Sequence, residues 1–203
     1  MRLFLVRHGE TDANRILGHG VQGPVHDEPI TFRPGDDTNI SLNVLGRKHA
    51  MNAGQELPDR IDELYASPLL RTKETAEIIA KVKQIDPALI TLREELVEYY
   101  QGSLEGFSLE ERKERLGGSL WGSGPLCNYD YRPWGGDSWE SIHARLHAFI
   151  EELKSHGNDK HIVCVTSGGV IRMAYKIFFW DKSPEITKHI VVYNGSVHQF
   201  VID

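Results

Sequence analysis

Cysteine is nearly missing from this chain: two residues, Cys127 and Cys164, in 203. Two thiols without metal-like spacing exclude a disulfide framework and a cysteine-built metal centre. Cys164 lies inside an apolar run and reads as a buried thiol. Long hydrophobic runs are lacking as well. No stretch approaches the roughly 20 apolar residues of a bilayer-crossing helix, and the apolar run at residues 3–6 is too short for a secretory signal. A reducing cytoplasm is the expected setting, with no membrane partner. Basic charge is also scarce, with 23 basic against 29 acidic side chains and a net charge of −6. No dense Lys/Arg stripe offsets that field, so nucleic acid is not an expected partner. A small anion is not excluded, because a few placed arginines outweigh the total charge.

What is present suits one globular domain over residues 1–203, since 40% of residues are hydrophobic and 26% charged. Oligomeric state, a homodimer included, stays open. Residues 3–6 and 162–165 read as buried strands, and residues 61–66 as another. Helical patterns cover 43–54, the segment after Ser67-Pro68, and 170–179; Ser67 would be the N-cap and Pro68 the first helical residue. Asp137 and Glu140 are spaced as a capping box. The helix after them carries Ile142, Leu146, Phe149, Ile150 and Leu153 as an apolar stripe. Asn194-Gly195 between residues 190–193 and 197–201 reads as a hairpin turn. Strands alternating with helices predict an α/β fold with a mostly parallel sheet. Two stretches break the pattern, at about 18–40 and 107–136. They are too long for plain connections and read as functional loops. The second includes Trp121, Tyr129, Tyr131, Arg132 and Trp134. Its aromatic residues could stack on a substrate or pack as a lid, and Arg132 could contact phosphate.

In open α/β sheets ligands sit at the carboxyl ends of the strands. Three such ends carry suggestive residues: Arg7-His8-Gly9, then Ser67-Pro68 leading to Arg71, then Thr166-Ser167-Gly168-Gly169 before a helix. A helix N-terminus offers free N–H groups and a partial positive charge to an anion. Two arginines, a histidine and that helix end make a phosphate site containing a nucleophile. His143 and His147, four residues apart, have no third ligand spaced to join them, so no metal site is expected.

These residues carry a family resemblance. Arg7-His8-Gly9-Glu10-Thr11 resembles the signature of the histidine phosphatase (phosphoglycerate mutase-like) superfamily, and residues 67–76, Ser-Pro-Leu-Leu-Arg-Thr-Lys-Glu-Thr-Ala, its second motif. Glu98-Tyr99-Tyr100-Gln101-Gly102 resembles its acid-donor segment. Gly135-Gly136-Asp137-Ser138-Trp139 with Arg145 is similar to the family's lead into a long helix. Leu42-Asn43-Val44-Leu45-Gly46-Arg47 is similar to another recurring segment, with Ser41 where proline is usual. The resemblance implies a three-layer α/β/α fold and metal-independent, cofactor-free hydrolysis of a small phosphomonoester through a phosphohistidine. It implies His8 as nucleophile, Glu98 as proton donor, and Arg7, Arg71, Asn14, Ser167 and Gly168 as phosphate contacts.

One departure matters. The family has a second histidine before the paired glycines, and this chain has Ser167 there. Losing a charge-assisted bond weakens transition-state binding by roughly 1–2 kcal/mol, about tenfold or somewhat more in rate. Three readings follow: a natural variant with reduced or retuned activity, a phospho-ligand binder without catalysis, or an engineered change. The first is favoured because nucleophile, acid and both arginines are present; His19 or His26 could substitute in space. Within the same chemistry, a phosphoglycerate mutase-type transferase is the alternative to hydrolysis. It would need a closed pocket with more basic residues than 117–136 provides.

Overall fold

The computed structural model describes residues 1–17, 39–105, 114, 130–179 and 190–202. Its frame is a five-stranded sheet in the order β3-β2-β4-β1-β5. The strands are β1 (Arg2–Arg7), β2 (Glu63–Ala66), β3 (Thr91–Leu92), β4 (His161–Thr166) and β5 (Val197–Val201). The first four are parallel where they pair, and β5 runs antiparallel along β1. The helices are α1 (Asp12–Leu17), α2 (Val44–Glu56), α3 (Leu70–Val82), α4 (Trp139–Lys154) and α5 (Gly168–Phe179).

Alternation along β1 divides the core. Leu3 and Leu5 join Ile142, Leu146, Phe149, Ile150 and Leu153 of α4 and Val170, Ile171 and Met173 of α5 on one face. Phe4 and Val6 join Ala53 of α2 and Ala76, Ile79 and Ala80 of α3 on the other. Both faces are covered, which is why the inner strands are continuous apolar runs. The result is the three-layer α/β/α arrangement with a mostly parallel sheet. Cys164 is a fully buried free thiol, and burial pushes its ionisation far above the ordinary range.

Three local expectations are corrected. Ser67 is not the N-cap of α3: Leu69 holds that position without a side-chain cap bond. The Ser67 hydroxyl instead meets Thr72 Oγ1 at 2.7 Å, and its backbone N–H extends the β2–β4 ladder to the Val165 carbonyl. At α4 the capping box is Ser138 with Ser141, one residue later than Asp137 with Glu140. Asp137 is drawn away because its carboxylate accepts the Tyr100 N–H at 2.9 Å. Residues 190–193 are not a strand, so Asn194-Gly195 turns no hairpin. The Gly195 N–H donates to the carbonyls of Arg7 and His8, and β5 pairs with β1. The polar end of β1 competes for those turn groups and wins.

Candidate active site

Because β1, β2 and β4 are parallel, Arg7, Ala66 and Thr166 end at one edge of the sheet. His8 follows β1 directly, and its N–H still bonds the Thr166 carbonyl at 2.9 Å. Its side chain is buried, 3% exposed. Nδ1 lies 2.7 Å from the Gly9 carbonyl. A carbonyl only accepts, so Nδ1 carries the proton and a neutral ring presents its lone pair at Nε2. Burial, then the Arg71 and Arg7 charges, hold the imidazole pKa well below 6.5, against a smaller opposing effect of the Gly9 bond. His8 is therefore neutral at pH 7. Arg71 Nε donates to His8 Nε2 at 3.3 Å.

The histidine is clasped from several sides. Thr75 accepts the Gly9 N–H at 3.1 Å and donates to the Arg71 carbonyl at 2.7 Å, tying the signature to α3. Asn194 Nδ2 donates to the His8 carbonyl at 3.2 Å and to Asn14 Oδ1 at 3.0 Å. Asn14 Oδ1 also accepts the Thr11 N–H at 3.2 Å. Two glycines let α2 reach this loop: a Cβ on Gly9 would sit 2.1 Å from the Gly46 carbonyl oxygen, and one on Gly46 would sit 2.0 Å from that of Glu10. Asn43 caps α2 through Gly46 N–H and donates to Glu10 Oε1, which Arg15 also binds at 2.8 Å. Burial alone would raise the Glu10 pKa, but the Arg15 and Asn43 bonds overcome it and lower it.

Arg7 is 5% exposed and donates Nη1 to the Val192 carbonyl at 2.7 Å. Burial, then the Arg172 charge, lower its pKa to about 10, with Glu98 opposing and Arg71 adding a smaller push. It remains cationic at neutral pH. Glu98 arrives from a segment pinned by fully buried Leu96, whose carbonyl accepts from Thr166 Oγ1 at 2.6 Å. Arg145 donates to the Val97 carbonyl. The carboxylate accepts the N–H groups of Tyr99 at 3.1 Å and Gly169 at 3.0 Å. Glycine is required at 169, because a Cβ there would lie 2.2 Å from Glu98 Oε1 and 2.4 Å from the Tyr99 ring. Ser167 is 1% exposed, and its carbonyl accepts the Ile171 N–H at the start of α5. Its hydroxyl does not cap the helix and has no partner among the described residues.

Arg7, His8, Arg71, Glu98, Ser167 and Gly168 thus gather at one strand edge, with Asn14 linked through Asn194. Arg132 turns to Asp130 in a two-bond ion pair at 2.8 Å. His143 and His147 stack, and no metal-ligand cluster occurs among the described residues. His19, His26, Trp121 and Tyr129 lie outside the described residues. Sequence reasoning missed Thr75, Asn194 and Arg172. Arg172 had one readable signal, as the lone cation early in an apolar helix.

The family profile described as "Histidine phosphatase superfamily (branch 1)" matches residues 3–203. A probable phosphatase of Schizosaccharomyces pombe is 30% identical over 213 residues, covering 100% of this chain and 87% of that protein. A broad-specificity phosphatase of Saccharomyces cerevisiae is 28% identical, covering 97% of this chain and 77% of that protein. The fold is shared with the mycobacterial glucosyl-3-phosphoglycerate phosphatase solved with VO3. That match has a TM-score of 0.76 at 21% identity, covering 98% of this chain and 91% of that one.

Proposed function

The chain belongs to the histidine phosphatase superfamily, and from that premise we propose that it hydrolyses small phosphomonoesters, without metal, through a phosphohistidine on His8. The observation that carries the reading is the neutral His8 ring, fixed at Nδ1 by Gly9 and set beside Arg71 at Nε2.

In the first step the Arg71 N–H leaves His8 Nε2 for a phosphoryl oxygen, and the freed lone pair forms a bond to phosphorus as the ester P–O bond breaks. The leaving oxygen takes its proton from the Glu98 carboxyl. In the second step water attacks phosphorus and gives a proton to the Glu98 carboxylate, the N–P bond breaks, and inorganic phosphate leaves with His8 neutral again. Covalent relay of this kind splits one hard displacement into two easier ones. Arg7 and Arg71 hold the equatorial oxygens, and guanidinium suits that task because it stays charged and binds two oxygens together. Asn14 Nδ2, the Ser167 hydroxyl and the Gly168 N–H add uncharged donors.

The test is phosphate release from a panel of phosphomonoesters in metal-free buffer, for the protein and for His8→Ala. Turnover that disappears in His8→Ala, with an acid-labile, base-stable phosphoenzyme in the parent, is the expected result. Binding of phosphate esters without turnover would instead make the chain a phospho-ligand binder, the reading that Ser167 motivates. Transfer to an added alcohol or sugar acid in preference to water would make it a mutase-type transferase.

A further inference from the structure

Gly168 and Arg172 are four residues apart on α5, so they share one helix face. A Cβ built on Gly168 would lie 3.5 Å from Arg7 Nε and 3.6 Å from one terminal nitrogen of Arg172. Two guanidinium groups therefore flank the first residue of the helix, which follows Ser167 in the chain, and the buried Ser167 hydroxyl has no hydrogen-bond partner among the described residues. Among the charges acting on Arg7, that of Arg172 is the largest, ahead of Glu98 and Arg71. No described carboxylate forms an ion pair with Arg172. Like charges packed together at the strand edge do not help the chain fold. They suit a multiply charged anion held between them.

Resting on the phosphatase reading, we infer that Arg172 is a third phosphate-binding guanidinium, supplying beside Ser167 the positive charge that serine lacks. The chain thus keeps a cation on that side of the phosphoryl group but changes its chemical kind. An imidazolium there would lose its charge as pH rises through the neutral range, whereas a guanidinium stays charged across it. The fork also offers two parallel donors to adjacent phosphoryl oxygens, where an imidazole offers one. A lysine at 172 would keep the charge and lose the fork.

The experiment compares the full chain with Arg172→Gln, Arg172→Lys and Arg172→Gln/Ser167→His, using inorganic phosphate and vanadate as binding probes and one turned-over ester for kinetics. In Arg172→Gln, kcat/KM and vanadate affinity are expected to fall together, about 10- to 100-fold. Its melting temperature without phosphate stays level or rises, because a like charge beside Arg7 has gone. Arg172→Lys recovers part of the loss. The double variant regains vanadate affinity at pH 6 more than at pH 8, since its cation is now an imidazolium. Wild-type vanadate affinity in Arg172→Gln would overturn the inference. So would a loss matched by an equal drop in phosphate-free stability, which would mark Arg172 as structural. His8→Ala separates the two levels: turnover that survives it removes the phosphatase reading, while the vanadate comparison still decides Arg172.

Discussion

The Nδ1 bond to the Gly9 carbonyl decides which nitrogen of His8 carries the lone pair, and close packing fixes the groups around it. Gly169 is the sharpest case. An alanine there would place a carbon 2.2 Å from Glu98 Oε1 and 2.4 Å from the Tyr99 ring, so the carboxylate must turn out of place. Gly169→Ala is expected to lower kcat about 100-fold for esters with a poor leaving group, the usual worth of a positioned general acid. Esters of acidic phenols, whose leaving oxygen needs no proton, should lose much less. A plot of kcat against leaving-group pKa checks this, and equal losses across the series would show that Glu98 is not the proton donor. At this scale the motif residues were legible because their chemistry is carried by residue type. Thr75 and Asn194 were not, because a threonine inside a helix and an asparagine in a turn look the same whether or not they hold a nucleophile's backbone.

Elements were legible in kind and shifted in their ends. The stripe Ile142, Leu146, Phe149, Ile150 and Leu153 is buried throughout, since apolar periodicity reports a face that must be covered. Helix starts depend on which of several adjacent polar residues is free to cap, and tertiary bonds settle that. Asp137 is engaged by Tyr100 N–H, so the cap passes to Ser138. Three stability changes follow. Ser138→Ala should cost about 1 kcal/mol, the ordinary value for a lost N-cap. Glu140→Ala, on the solvent side of the same turn, should stay within about 0.5 kcal/mol of the parent. Leu146→Ala, in the fully buried stripe, should cost about 2–5 kcal/mol. Urea midpoints read all three, and KM should be unchanged in each because none of these side chains meets the phosphate site.

For the whole molecule, the alternation of apolar runs with helical segments announced a parallel sheet, but not its order. The placing of β4 between β1 and β2 rests on backbone pairing across about a hundred or more residues, as in Arg2 with His161 and Glu63 with Ile162. No local pattern encodes that. Only the assembled sheet brings three strand ends together, and it buries His8 among cations as a consequence. That burial has a thermodynamic signature. The folded pKa of His8 lies well below 6.5, and those of His49, His143 and His198 are also lowered, in each case mainly by burial. Above about pH 6.5 folded and unfolded chains are both neutral at these sites, and no stability depends on them. As pH falls below that value the unfolded chain takes up protons that the folded chain refuses, so stability declines with falling pH. For fully buried His8 the limiting slope is about 1.4 kcal/mol per pH unit. The lowered carboxylates, such as Glu10 and Glu63, add their own loss only below about pH 4.5, their unfolded value. Between pH 6.5 and 5, therefore, urea unfolding of His8→Ala should show a shallower loss of stability than the parent, by up to that slope, whatever the difference in their absolute stabilities. Parallel curves would mean that His8 takes up its proton as readily in the fold as outside it, and the neutral nucleophile would lose its physical basis.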